Sequence, residues 1–579
     1  MGSILMMLSV FAGYILMYRI YGKFIAKRIF KLDDNNPVPS VELEDGVDFV
    51  PTKKEVIFGH HFASIAGTGP IVGPAIAVIW GWLPALIWVF VGSIVMGAAH
   101  DFGSLIISMR HQGKSISEIT GKFINARTKF FLFFIIFLEL WIVVSIFGLV
   151  IAILFKMYPQ AVLPVWLQIP IAIYLGYIVY KKGGNLAVWS IIAVLIMYLT
   201  VVWGTYMPLK MPQVLGLSPV ALWSIILLIY AFIASILPVT TLLQPRDYIN
   251  THQLVITMVL LILGVLFAGF SGDLHIVAPA VRPHPQGSPP LIPFLFITIA
   301  CGAISGFHAL VSSGTSSKQV RRESDSLFVG YGAMLMEGSL ATLVIIATAA
   351  GIGMGYLTGD GQLLTGVEAW SQHYISWQAA GGLSSKVGAF VEGAANMIQS
   401  LGIPKNITLT IMGVFVASFA GTTLDTATRV QRYLISETFP KTFKNKYFAT
   451  AFVILIALFL IFSTGADGKG ALTLWPIFGA VNQTLAALVL LVVTIYLKGR
   501  TKWGWLISFV PAVFMLAVSM WAVILNQINF INNHNVLLTI LNAVILLAMI
   551  WVAVDGGRKL FATPFNPEKD ENKQVIAEN

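Results

Sequence analysis

Apolar runs of about 20 residues recur along the whole chain, and short polar stretches separate them. That length is what a helix needs to cross a hydrocarbon core. Within runs such as 131–155, 254–270 and 471–497, apolar and polar positions do not alternate. Strict alternation is the mark of a membrane barrel strand, so helices are predicted instead. Fifteen spans fit the pattern, at about 4–21, 57–80, 83–108, 130–155, 162–180, 185–206, 219–243, 253–271, 290–314, 327–352, 407–427, 448–464, 471–497, 503–526 and 536–554. The predicted class is an all-α polytopic membrane protein.

Composition agrees. Hydrophobic residues fill 57% of 579 positions and charged residues 11%, where a soluble domain carries about 25% charged residues. The net charge of +10 forms no basic stripe on a separate polar domain, so nucleic acid is not an expected partner; the bilayer is. With the N-terminus outside, alternation of the fifteen spans places 30 of the 36 Lys and Arg residues on the inside. This asymmetry is the positive-inside pattern, and it predicts an external N-terminus and a cytoplasmic tail from 555. The run 3–18 lacks the basic lead and small-residue cleavage site of a signal peptide. Cys301 is the single cysteine. It excludes disulfides and is expected to be a small packing residue.

Two polar stretches are long. Residues 31–56 form an internal loop, within a cytoplasmic segment 23–56, and 353–406 form an external cap. The segment 386–402 is too polar for a span, with Glu392, Asn396 and Gln399. Reading it as a span would also put the basic cluster 429–446 outside, so an external or re-entrant helix is expected.

Irregular backbone in a membrane persists only where protein or a water-filled cavity satisfies it. In GHHFASIAGTGPIVGP (59–74), Gly67, Gly69 and Pro70 interrupt the second span. Pro70 suits the first turn of a second half-helix, whose N-terminal amides could hold a substrate carboxylate. The simpler alternative is a packing kink. Gly67, Thr68, Gly69 and Pro70 are therefore candidate substrate residues. A second break is expected in the seventh span at 235–241, which adds Pro238, Thr240 and Thr241. Two breaks five spans apart and oppositely oriented suggest inverted five-helix repeats. These would be 57–206 and 219–427, with the first span (1–22) and four helices in 448–554 peripheral.

Ionisable residues inside spans mark pathways or structural hydrogen bonds. Glu139 and Glu337 lie near mid-depth of spans four and ten, and either could carry a coupling proton. Ser305, His308, Ser312 and Thr315 share a helix face. Ser312 and Thr315, with the broken backbone near Ala66, could instead ligate Na⁺, so the coupling ion is H⁺ or Na⁺ and no other metal or cofactor is expected. Asp425 and Arg429 are four apart and could pair at the membrane surface. Asn482 and Gln483 sit at mid-depth of span thirteen, in a packing or functional role. His60 and His61 are adjacent, so they do not face each other as metal ligands would. Neither a Walker A loop nor an H-E-x-x-H pattern occurs, and no nucleophile–base cluster stands out, so an enzyme is not expected.

The motifs NPVPSVELEDGVDFVPTKKEVIFGHHFASIAGTGPIVGPAIA (36–77), HDFGSLIISMRHQGKSISE (100–118), TTLDTATR (422–429) and LWPIFGAVNQTLAAL (474–488) closely resemble the carbon starvation protein A family. The resemblance covers most of the chain. It implies a bacterial cytoplasmic-membrane transporter for peptides or pyruvate, used when preferred carbon runs out. It also implies the five-plus-five inverted-repeat (LeuT-like) core of the amino acid–polyamine–organocation superfamily. The expected function is ion-coupled symport of a small carboxylate-bearing nutrient. A channel or a membrane-embedded nutrient sensor is the alternative.

Overall fold

A computed structural model describes residues 1–359 and 361–562. The predicted tail beyond 562 lies outside the described residues. Apart from one short antiparallel pair, Tyr356–Leu357 with Leu363–Leu364, the regular structure is helical. Among the described residues, twelve helices are long and apolar enough to cross a membrane, or thirteen if the bent pair Lys54–Ile65 and Gly69–Trp80 counts as one span.

Two of the fifteen expected spans take another form. The 448–464 run is a helix of 17 residues, Lys446–Phe462. The 290–314 run is two short helices, Leu291–Thr298 and Gly306–Gly314, separated by seven residues that continue neither.

The second break is therefore displaced from its expected place. The seventh span is not interrupted at 235–241. Helix Pro219–Ile236 ends there, and the 29-residue helix Leu243–Ser271 begins after a short connection. The polar run after Leu243 looks like a loop in sequence. In the structure its side chains pair inside the protein: Gln244 with Gln319, Arg246 with Asp247 and Asp425, and Asn250 with Thr422. Arg246, expected in a cytoplasmic loop, is only 4% exposed. Buried polar groups that find partners can extend a helix where hydropathy alone would end it.

The helix Gly470–Lys498, expected at the periphery, lies at the centre and is almost wholly buried. The outer helices instead present Leu5, Leu199, Phe459 and Leu547 to the surroundings, as a lipid-facing surface does.

The cap contains helices Gly366–Tyr374 and Leu383–Gln399. The second is largely buried and is joined to the preceding span by Asn396, whose amide donates to the carbonyls of Gly351 (3.0 Å) and Gly355 (2.7 Å). Tyr374 donates to the carbonyl of Ala75 at 2.7 Å, tying the cap to the second half of the bent span. The 31–56 loop is strapped to the segment after Gly314. Ser40 donates to the Val320 carbonyl (2.6 Å), the Thr52 amide donates to the Gln319 carbonyl (3.0 Å), and the Asp33 amide donates to Glu323 Oε2 (2.8 Å).

Candidate functional site: a cavity between two broken helices

The first break is where glycine and proline predict it. Lys54–Ile65 and Gly69–Trp80 meet at 45°, and Gly69 and Pro70 open the second half. The two glycines serve close packing. A Cβ on Gly67 would lie 2.2 Å from Thr423 Oγ1, and one on Gly69 would lie 2.3 Å from Cys301 Sγ. The space that a side chain would need at either position is filled by protein. Thr68 and Gly69 nevertheless line a cavity of about 670 Å³.

The second break, Ile299 to Ser305, faces the first. Its Cys301 lines the same cavity. The break is satisfied from the central helix. Asn482 Oδ1 accepts from the Phe307 amide at 2.9 Å, and Asn482 Nδ2 donates to Ser305 Oγ at 3.0 Å. Gln483 donates to the Phe296 carbonyl at 2.8 Å. This resolves the polar pair in span thirteen: both residues hold the ends of an interrupted helix. Trp377 of the cap and Trp475 and Asn526 of later helices complete the wall, and among the described residues no charged side chain lines the cavity.

A buried ionisable chain adjoins Cys301. The span Trp82–Met109 widens to π geometry over Gly92–Phe102, a distortion frequent at functional sites. Asp101, at its end, bridges two imidazoles: Oδ1 meets His100 Nδ1 and Oδ2 meets His308 Nδ1, each at 2.7 Å. The far nitrogen of His308, Nε2, lies 3.3 Å from Glu337 Oε2. Cys301, His308 and Glu337 each place a polar atom within 4.8 Å of the others. His308 Nε2 and both Glu337 oxygens have no hydrogen-bond partner among the described residues. The sequence flagged His308 and Glu337 separately. It gave no sign that Asp101, Cys301 and Glu337, from three segments, would meet at one imidazole.

The other expected ion-site residues are dispersed. Ser312 donates weakly to the Asp101 carbonyl at 3.4 Å, and Thr315 donates to the Val311 carbonyl of its own helix at 3.0 Å. Near Ala66, Thr423 donates to the Ser64 carbonyl at 3.0 Å. Glu139 is fully buried, and neither oxygen has a hydrogen-bond partner among the described residues.

Asp425 does not pair with Arg429. It pairs with Arg246 and accepts from Tyr230 at 2.8 Å, while Arg429 turns to Asp48 at 2.8 Å. Arg246 also pairs with Asp247, which meets His60 at 2.6 Å. This second charged cluster was not foreseen. Pro238, Thr240 and Thr241 stand in the connection before Leu243, where Thr240 and Thr241 crowd Gly176. They are not among the residues lining the cavity.

Residues 2–522 match the family described as carbon starvation protein CstA. The chain belongs to that family. Among curated relatives, the peptide transporter CstA of Campylobacter jejuni is 33% identical over 88% of this chain and 78% of its own. The peptide transporter CstA of Bacillus subtilis is 34% identical over 84% of each chain. The pyruvate/proton symporter BtsT of Escherichia coli is 30% identical over 88% of this chain and 79% of its own. Family membership and these relatives identify a multi-pass membrane transporter, not an enzyme. Among solved structures, a crystal structure of the Eremococcus coleocola manganese transporter has a TM-score of 0.50 at 11% identity, covering 89% of this chain and 99% of that one. At that identity the likeness shows the fold alone.

Proposed function

We propose that this family member is a proton-coupled symporter that carries a small carboxylate nutrient, pyruvate or a short peptide, through the cavity between the two breaks. One observation carries the proposal: an uncharged cavity meets, at Cys301, a buried chain of His308, Asp101 and Glu337 with unpartnered polar atoms. A bare carboxylate is costly in a low-dielectric site without a cation. A proton taken up beside it offsets that cost. His308 can pass a proton between Glu337 and the Asp101 side because its two nitrogens face one carboxylate each.

The volume of about 670 Å³ falls within the usual range of small-molecule pockets and admits either substrate class. The proton coupling named for BtsT supports H⁺ over Na⁺ here. Glu139 is a second candidate carrier. Pro238, Thr240 and Thr241 have no part in this reading.

All fifteen segments cross the membrane in the proposed topology, with the N-terminus outside in a bacterial inner membrane. The paired discontinuous helices of the two inverted repeats are then 54–80 and 291–314. The cavity wall at the cap and the strapped 31–56 loop at the other end correspond to an outward-facing state of alternating access.

The test is uptake into proteoliposomes. Labelled pyruvate and a labelled dipeptide are offered with an inward proton gradient, an inward Na⁺ gradient, or neither. Accumulation under the proton gradient, and counterflow without one, are expected for at least one substrate. Accumulation driven only by Na⁺ would refute the proton site. Flux without counterflow would indicate a channel.

A further inference from the structure

A second large cavity lies at the opposite end of the molecule, away from both breaks. Its volume is about 640 Å³, and it sits where the first span and the central helix end. Its wall is divided by chemistry. Ile29, Phe30 and Leu497 give an apolar side, and Lys31, Arg110 and Arg500 give three cations. One cation is already matched. Arg110 pairs with Glu323, and its remaining donors reach Tyr496 Oη (3.0 Å) and the Phe30 carbonyl (2.9 Å). The other two are not matched. Lys31 and Arg500 have no ion pair among the described residues.

Arg500 lies over the Tyr496 ring at 4.1 Å, which holds its guanidinium in place. Lys31 adopts a left-handed backbone (φ 51) where the span turns into the loop. The one acid in the wall, Asp33, already accepts from the amide and side chain of Asn35 at 3.0 and 2.9 Å. Lys27, Arg28 and Lys502, exposed and two residues or fewer from the wall residues Ile29 and Arg500 in sequence, add positive charge to the same segments.

We propose that this cavity holds a phosphate-bearing anion, the headgroup of an anionic phospholipid. The phosphate sits between Lys31 and Arg500, and the glycerol and first methylenes lie on Ile29, Phe30 and Leu497. A free inorganic phosphate would use the cations but not the apolar side. The position at the ends of two spans is where a headgroup lies, and basic pockets between such ends recognise anionic lipids.

Native mass spectrometry of the detergent-purified protein tests this with added phosphatidylglycerol, phosphatidylcholine and inorganic phosphate. Phosphatidylglycerol should be retained as a discrete adduct in preference to phosphatidylcholine, and millimolar inorganic phosphate should not displace it. The double variant Lys31→Gln/Arg500→Gln should weaken the adduct by about 25-fold, since each basic side chain contributes about fivefold. A control with the same charge loss on an exposed loop, Lys441→Gln/Lys444→Gln, should change it by less than about threefold. If the double variant is unstable, each single variant should still show about a fivefold loss. Equal losses in both doubles would reduce the effect to general surface charge and overturn the site. Displacement by inorganic phosphate, or equal retention of phosphatidylcholine, would overturn the headgroup assignment.

Discussion

Two of the protein's buried charge clusters differ in how far their carboxylates are matched. In the cluster around Arg246, the cation faces Asp247 and Asp425, and Asp247 also meets His60. In the cluster around His308, one imidazole stands between two carboxylates, and Glu337 keeps both oxygens without a hydrogen-bond partner. The first lies away from the large cavity, and the second adjoins Cys301 in the cavity wall. Around Arg246 every carboxylate has a cation or a hydroxyl partner, and only Asp425 Oδ1 and His60 Nε2 are left without a hydrogen bond among the described residues. Around His308 a whole carboxyl group, Glu337, is left without one, beside the cavity wall. Buried ion pairs are weak evidence of stabilisation, and unpartnered buried groups call for another explanation.

The comparison predicts different failures. The largest effect on stability is expected for Arg246→Met, which leaves Asp247 and Asp425 facing each other without a cation. A loss of about 3–5 kcal/mol is expected, read as a lowered melting temperature in detergent. Adding Asp425→Leu should recover part of it. A melting point unchanged in Arg246→Met would mean that this cluster does not hold the helices together.

Glu337→Gln should do the reverse. Its melting temperature should stay near that of the parent, while proton-driven accumulation falls by about 100-fold or more and exchange persists, because only the proton step is removed. Normal accumulation in this variant would move coupling elsewhere, with Glu139→Gln as the next variant to assay.

Asn482→Ala should give an intermediate effect. It strips the acceptor from the Phe307 amide, and a loss of about 1–3 kcal/mol is expected from one buried, unsatisfied donor. Asn482→Asp keeps that acceptor and should transport better than the alanine variant. Equal transport by the two would show that capping at the second break is unimportant.

Near neutral pH the smallest effect concerns the cap, because its contribution develops only as pH rises. Lys386 is buried, lies over the Tyr374 ring at 4.5 Å, and has its pKa lowered to about 7 by burial. Between about pH 7 and the ordinary lysine value of 10.5, the unfolded chain binds the proton that the folded cap excludes. Stability should therefore rise with pH across that window and level off below about 7. Lys386→Met should remove this slope, as followed by melting temperature against pH. An unchanged slope would assign it to another group.

The membrane class, most spans, the cap and the break at Gly67–Pro70 were legible in the sequence, because hydropathy runs and Gly/Pro interruptions are local signals. The second break was not. Ile299 to Ser305 contains one glycine, and what keeps it open is Asn482, about 180 residues further on. Pro238 drew attention because proline is conspicuous, yet it only joins two helices. Arg246 and Asp247 read as a loop, since their partners His60 and Asp425 are far away in sequence. For the site itself, the sequence offered His308 and Glu337 individually. Their meeting depends on three segments packing together, which no local pattern encodes.

The uncharged wall of the main cavity has an electrical consequence. A transmembrane voltage does work only on the net charge that moves, about 2.3 kcal/mol per unit charge per 100 mV. Under the proposed proton symport, no fixed cation in the wall accompanies the cargo, and the translocated charge is that of substrate plus proton. A monocarboxylate with one proton is neutral, and its flux should ignore an imposed potential. A zwitterionic dipeptide with one proton carries a full positive charge and should be drawn toward the negative side. A potassium–valinomycin potential applied to proteoliposomes would thus distinguish the two cargoes by current, independently of how tightly either binds.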